Sequence, residues 1–226
     1  MAATSSSPNR FYLLIGGLAV VGALVLYFLS RQGHSPTIPV AVAVTAGDTA
    51  GFRGYLLGSA DAPVEIMEFA DYQCPACEKF EMVEFPYVLE RLINTGRVRY
   101  VYRDFPLDQP HKWARLAAHA AACANDQGKF WEVHGGIYAT QTEWSFSSRA
   151  GNQFREIAGK QGLDLDSYDE CMGSLRYAGR LQGSLDEGLR MGVNSTPTFV
   201  IGGGLYLGVL PYDRIKALVD SLSPLP

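Results

Sequence analysis

Histidine and cysteine are scarce in this chain, which has four of each among its 226 residues. A structural zinc site usually takes four such ligands from two closely spaced pairs. Only Cys74 and Cys77 form a close pair, because the sequence has no second CxxC and no HxxxH. The other cysteines, Cys123 and Cys171, stand alone. We therefore expect no metal centre.

A surplus of basic residues is also missing. Lysine and arginine together number 19, against 23 aspartate and glutamate residues, which gives a net charge of -4. Proteins that hold a nucleic acid backbone need a basic surface, so a nucleic acid is not an expected partner. The glycine run at residues 202–204 lacks the Lys-Ser/Thr sequence of a phosphate-binding loop and fits a hairpin turn. No cofactor is expected.

The chain does contain a Cys-Pro-Ala-Cys sequence at residues 74–77, directly after an apolar run at residues 64–70. The run predicts a buried strand, and Pro75 fits the first turn of a following helix, where its missing N–H costs nothing. At the helix N-terminus, unpaired N–H groups and the helix dipole stabilise a thiolate. Three residues apart on a helix, two α-carbons are about 5 Å apart, within disulfide range. We predict that Cys74 is a redox-active nucleophile and Cys77 its resolving partner, with Pro75 and Ala76 between them.

Hydrophobic patterning predicts a β-α-β unit, a block of helices and a final β-β-α unit. Short β-branched and aromatic runs indicate the strands, and only helical signals occur between residues 110 and 191. The predicted strands are residues 64–70, 98–103, 198–201 and 205–209, and the predicted helices are residues 75–95, 113–124, 130–138, 152–160, 165–172, 177–191 and 211–221.

A second motif, Thr196-Pro197, stands in a small polar turn just before a strand-like run. A proline here could be an ordinary edge residue that needs no ladder hydrogen bond. Together with the CxxC, however, it resembles the thioredoxin superfamily and, within it, the DsbA family of extracytoplasmic thiol–disulfide oxidoreductases. The segments that carry this resemblance are residues 57–64, 68–77, 102–107, 127–131 and 192–199.

The resemblance implies an α/β fold. It is a thioredoxin-like domain at residues 51–226 with a helical insertion at about residues 108–191. It also implies a cis peptide bond between Thr196 and Pro197 that faces the cysteine pair and borders a groove for extended substrate. Glu68 matches an acidic position beneath the CxxC, where a carboxyl group exchanges a proton with Cys77. Without the resemblance, Glu68 could be an ordinary half-exposed strand carboxylate.

The implied function is disulfide formation in exported proteins, with a membrane redox partner that recycles the cysteine pair. The best-studied oxidases of the family have a histidine between the two cysteines, and this chain has Ala76 there. Loss of a thiolate-stabilising donor shifts a couple toward the reducing side. A disulfide reductase or isomerase is therefore the alternative, and a tethered chaperone or binding module without turnover is a third possibility.

The N-terminal residues predict attachment to a membrane. The uncharged run at residues 11–29 is long enough to cross the hydrocarbon core. We expect a tail at residues 1–10, a single transmembrane anchor at 11–30 and a linker without a core at 31–50. A cleaved signal peptide is the alternative, but its apolar core is usually shorter. The redox chemistry places the catalytic domain on the extracytoplasmic side of the cell membrane.

Cys123 and Cys171 both fall in the helical block. They are either inert core thiols or, in an oxidising compartment, a structural disulfide. Four cysteines allow three pairings, of which Cys74–Cys77 with Cys123–Cys171 is the simplest. No separate dimerisation segment lies between the linker and the domain, so a monomer is expected.

Overall fold

The computed structural model describes residues 8–31, 38 and 42–224, and in the first of these ranges it describes side chains only for residues 12–27. The chain forms two compact units, one up to residue 34 and one from residue 35. The first contains helix α1, Pro8–Arg31, whose described side chains are exposed. In the part of the chain that the structure describes, no helix is long and apolar enough to cross a membrane. The predicted transmembrane anchor is therefore not confirmed.

The N-terminal tail and the linker fall partly outside the described residues, which leave out 1–7, 32–37 and 39–41. The end of the predicted linker does form structure, because Ala46–Thr49 is a short helix, α2. Side chains of α2 lie directly against Gly179 and Gly183, where glycine leaves room for them. This segment therefore has contacts with the domain that the sequence pattern did not predict.

A five-stranded sheet organises the second unit. Its strands are β1 Tyr55–Leu57, β2 Val64–Ala70, β3 Val98–Asp104, β4 Thr198–Ile201 and β5 Gly204–Leu207, in the order β1-β3-β2-β4-β5. The central pair β2 and β3 is parallel, and the remaining pairs are antiparallel. The four predicted strands are found with small changes at their ends. The short strand β1 was not predicted, because three residues are too few to show an alternating pattern.

The helices also follow the sequence pattern closely. One continuous helical run follows β2 and consists of α3 Pro75–Lys79, a π-helical turn Phe80–Glu84, α4 Phe85–Val88 and a second π-helical turn Leu89–Ile93. Pro86 has no N–H to donate, so the regular hydrogen-bond ladder is interrupted before it. The later helices are α5 Ala114–Asn125, α6 Phe130–Ala139, α7 Gln141–Trp144, α8 Ala150–Lys160, α9 Leu165–Ser174, α10 Ala178–Arg190 and α11 Tyr212–Leu222.

Helices α5 to α10 form the insertion between β3 and β4. Helix α5 is buried over nearly its whole length, since its small alanine side chains allow close approach of neighbouring helices. Cys123 on α5 and Cys171 on α9 are joined in a disulfide, with their α-carbons 5.8 Å apart. Together with His119 they form the one group of possible metal ligands found among the described residues. The sulfurs of Cys123 and Cys171 are bonded to each other and are not free to bind a metal.

Candidate active site

Cys74 lies where β2 gives way to α3. Its extended backbone (φ −75°, ψ 122°) makes it the N-cap residue, and Pro75 is the first helical residue. Both Cys74 and Cys77 are free thiols in this structure. Cys74 is 7% exposed and Cys77 only 1%. Local sequence thus produces the predicted strand-to-helix arrangement, with one sulfur near the surface and the other one turn deeper.

The two thiols differ strongly in acidity. The pKa of Cys74 is lowered to about 6, first by a hydrogen bond from Cys77 and then by contacts with Thr196 and with backbone N–H groups of the first helical turn, which together outweigh burial. Burial, followed by the neighbouring Cys74, raises the pKa of Cys77 well above its usual value. At neutral pH the pair is therefore a Cys74 thiolate beside a protonated Cys77.

The Thr196–Pro197 turn faces Cys74. The peptide bond between these residues is cis. The Cys74 sulfur lies 3.4 Å from the Thr196 carbonyl oxygen. Among the described residues, the Thr196 hydroxyl is buried without a hydrogen-bond partner. The turn is anchored by β4, which begins at Thr198, and by a 2.8 Å hydrogen bond from the Gly208 N–H to the Pro197 carbonyl.

Glu68 lies on β2 and is 1% exposed, so it is not the half-exposed strand carboxylate of the alternative interpretation. The Tyr100 hydroxyl donates a hydrogen bond to its carboxyl group. Burial, and then the charge of Glu81, raise the pKa of Glu68 well above its usual value. The charge of Glu68 also contributes to the raised pKa of Cys77. Glu68 is thus a buried carboxyl group whose raised pKa is coupled to that of the deeper thiol.

Residues 53–221 of the chain match the family model described as Thioredoxin. The chain belongs to this thioredoxin family. Within the thioredoxin-family domain, the parallel strands β2 and β3 and the CxxC at the end of β2 form the core that carries the site.

Relatives of the thioredoxin-family domain include an antiporter and a disulfide bond formation protein. The Na(+)/H(+) antiporter NhaA 3 of Salinispora tropica is 37% identical over 169 residues, which are 75% of this chain and 24% of the antiporter. Disulfide bond formation protein D of Bacillus subtilis is 26% identical over 171 residues, which are 73% of this chain and 75% of that protein. The crystal structure of oxidised BdbD from Bacillus subtilis is similar in fold, with a TM-score of 0.68 at 22% identity over 81% of this chain and 97% of that chain. The chain thus spans about a quarter of the length of the antiporter.

The thioredoxin-family site contains a further carboxyl group that the sequence did not reveal, on Glu81, whose side chain is 9% exposed. Glu81 lies on the first π-helical turn, and its Oε1 atom is 3.1 Å from His134 Nε2 on α6. The other ring nitrogen of His134 is 2.8 Å from the Tyr72 hydroxyl. This polar cluster joins the active-site helix to the insertion. It was missed because its members are far apart in sequence and none belongs to a short motif.

Two glutamines fix the active-site loop of the thioredoxin-family domain to the insertion. The Gln141 side-chain amide donates to the carbonyl oxygens of Tyr72 and Cys74, at 2.7 and 3.0 Å. The Gln73 side chain accepts from the Trp113 N–H at 2.6 Å and donates to the Ser145 carbonyl at 3.1 Å. The insertion therefore holds the loop that carries Cys74.

Proposed function

We propose that this chain is a thiol–disulfide oxidoreductase that forms disulfides in exported proteins through the Cys74/Cys77 couple. The observation that carries the proposal is the pair itself. Cys74, at the N-terminus of α3, has a pKa of about 6, and Cys77, one turn further, is buried with a raised pKa. One relative of comparable length is named disulfide bond formation protein D, which agrees with this chemistry.

In the oxidising direction, a substrate thiolate attacks the Cys74 sulfur of the Cys74–Cys77 disulfide. The S–S bond breaks, and its electron pair goes to the Cys77 sulfur, which takes a proton from the buried Glu68 carboxyl group. A second substrate thiolate then attacks the substrate sulfur of the mixed disulfide. Cys74 leaves as a thiolate, so two electrons have passed from the substrate to the enzyme. Protonation of Cys77 makes the first step, formation of the mixed disulfide, hard to reverse, because the neutral Cys77 thiol is a poor nucleophile.

The substrate chain lies beside the Thr196–Pro197 turn in this mechanism. The turn stands within hydrogen-bond range of Cys74 and at the start of β4, so an extended peptide there can align its backbone with a strand end. Because Pro197 and Thr196 lie next to the reacting sulfur, substitutions in this turn affect exchange with protein substrates more than exchange with small thiols.

The reduction potential tests the direction of exchange. A strong oxidase equilibrates with a glutathione buffer at a potential of about −120 mV, whereas a reductase lies at about −270 mV. The low pKa of Cys74 favours the oxidising end, since a stabilised thiolate stabilises the reduced form. A potential at the reducing end would replace the oxidase with the reductase or isomerase alternative.

Turnover itself is tested with a reduced dithiol peptide whose oxidation is followed by fluorescence, together with an insulin-reduction assay. The Cys74→Ser variant should lose all activity in both assays. Cys77→Ser should accumulate mixed disulfides with insulin, because the Cys74 thiolate attacks an insulin disulfide and releases one insulin thiolate, and the variant lacks the resolving sulfur. If the chain were a chaperone or binding module, the wild type and Cys74→Ser would bind the peptide equally well. Neither protein would then change the redox state of the peptide.

The proposed location is the extracytoplasmic side of a membrane, with a membrane redox partner that reoxidises Cys74 and Cys77. A structural disulfide between Cys123 and Cys171 supports an oxidising compartment. Membrane attachment through residues 11–29 rests on the uncharged sequence of that run. Carbonate extraction of cell membranes tests attachment, and an extractable protein would exclude it. We further propose a monomer, which sedimentation measurements of the purified chain can test.

A further inference from the structure

The position of Asp71 in the sequence suggests a loop residue or a helix cap, but in the structure Asp71 makes several defined contacts at the active-site loop. Its carboxylate is buried and accepts hydrogen bonds from the N–H groups of Gln73 and Leu107, both at 2.7 Å. It also lies 2.8 Å from Nδ1 of His111. The backbone of Asp71 touches both cysteines, since its carbonyl accepts from the Cys74 N–H at 3.0 Å and its N–H points at the Cys77 sulfur at 3.5 Å. Asp71 therefore fixes His111 to the active-site loop.

His111 stands at the rim of the same loop. Its side chain is 13% exposed. It lines a cavity of about 340 Å³ together with Gln73 and Pro75, the residues on either side of Cys74, and with Glu78 on the next turn of the helix. Since Asp71 occupies Nδ1, Nε2 is the ring nitrogen left to face other groups. In the sequence, His111 belongs to no short motif and to no closely spaced pair of histidines or cysteines.

We propose that the His111 imidazolium, held in place by Asp71, is a positioning residue that stabilises the Cys74 thiolate. The dipeptide between the two cysteines, Pro75-Ala76, has no positive charge, and His111 supplies one from the insertion. The proposal rests on the proposed function only for the direction of exchange that it favours. Its electrostatic part concerns Cys74 alone and can be measured whether or not the chain catalyses exchange.

The charges around His111 agree with this role. Asp71, through its hydrogen bond, raises the pKa of His111 above its usual value against the effect of burial, and the charge of Cys74 acts in the same direction. Among the residues that line the cavity, Glu78 is the acidic one. Coupling between two charges is reciprocal, so a thiolate that favours the imidazolium is itself favoured by it. The dithiol form gains from this attraction, whereas the disulfide form has no charge on Cys74.

The first test titrates the ultraviolet absorbance of the thiolate in the Cys77→Ser background. His111→Gln should raise the pKa of Cys74 by about one unit. His111→Lys, which keeps a positive charge, should restore at least half of that shift. Lys112→Gln is the matched control, because it removes a neighbouring positive charge whose Nζ lies over the Trp113 ring, 4.3 Å from its centre. This control should leave the titration unchanged.

The second test follows the His111 ring by NMR in the otherwise unaltered chain. Its pKa should be higher in the dithiol form than in the disulfide form, because only the dithiol form carries the Cys74 thiolate. In a glutathione buffer, His111→Gln should shift the equilibrium toward the disulfide by about three- to tenfold. Equal His111 pKa values in both redox states, or a Cys74 titration that His111→Gln does not change, would overturn the proposal. A normal Cys74 shift in a chain without exchange activity would instead overturn only the proposed function.

Discussion

The sulfur of Cys74 lies 3.4 Å from the carbonyl oxygen of Thr196, a residue 122 positions further along the chain. This contact joins the N-terminus of α3 to the turn before β4. The Thr196 hydroxyl is buried and has no hydrogen-bond partner among the described residues. It lies beside the Cys74 thiolate, which can accept a hydrogen bond from it. The acidity of Cys74 therefore depends on tertiary contacts as well as on its helix.

Thr196→Val should raise the pKa of Cys74, because valine keeps the shape of threonine and removes the hydroxyl donor. The expected rise is about half a unit to one unit, which corresponds to one modest hydrogen bond. Titration of the thiolate absorbance measures it. Thr198→Val removes a hydroxyl that bonds to the Ser195 carbonyl at 2.7 Å instead, so it should not shift the titration. An unchanged pKa in Thr196→Val would show that the hydroxyl does not face the thiolate.

Glu68→Gln should slow the release of Cys77 from the disulfide and remove part of the pH dependence of exchange, because glutamine has no acidic proton to give. It should also change stability. The pKa of Glu68 is raised in the folded state, so wild-type stability is full below the unfolded pKa of about 4.3 and falls as the pH rises through the folded value. The variant should therefore gain stability over the wild type at alkaline pH.

Thermal melts of both proteins from pH 4 to pH 9 check the Glu68 prediction, together with stopped-flow rates of disulfide reduction. Glu90→Gln, which replaces an exposed carboxyl group on the helical run that follows β2, is the control. If the difference in melting temperature between wild type and Glu68→Gln stayed constant with pH, Glu68 would not be a buried group with a raised pKa.

Asp104 provides a separate pH-dependent contribution to stability. Both of its carboxylate oxygens are buried without a hydrogen-bond partner among the described residues, and burial raises its pKa to about 7. Wild-type stability should fall as the pH rises from about 4 through 7, since ionised Asp104 is costly in the folded state only. Asp104→Asn should not show this loss. The measurement is urea unfolding at pH 5 and pH 8, with exposed Asp61→Asn as control. If Asp104→Asn lost as much stability as the wild type between pH 5 and pH 8, this prediction would be wrong.

Replacement of both Cys123 and Cys171 by alanine should lower the stability of the domain and leave the titration of Cys74 unchanged. The disulfide closes a separation of 48 residues, and a loop of that size is worth about 4 kcal/mol in the chain-entropy description. Both sulfurs lie in the insertion, away from the cysteine pair. Thermal melting with and without reductant measures the loss. A variant as stable as the wild type would show that the disulfide contributes little.

Short-range pattern was enough to place most of the fold. The strands β2, β3 and β4 and the helix after Cys74 follow from apolar alternation, from Pro75 and from the CxxC, because these signals act within a few residues. The same locality explains what was missed. Strand β1 is too short for a pattern, and the π-helical turns before and after Pro86 depend on a broken hydrogen-bond ladder rather than on composition.

The sequence by itself determined which atoms are proposed to react, since a thiol pair spaced for one helical turn at the end of a strand predicts a dithiol couple. Only the tertiary structure decided how acidic those thiols are and what surrounds them. Asp71 and His111 are 40 residues apart, and Gln141 is 67 residues from Cys74. Burial and electrostatic attraction act through space, so contacts of this kind leave no periodicity in the sequence and become visible only when the insertion folds over the active-site loop.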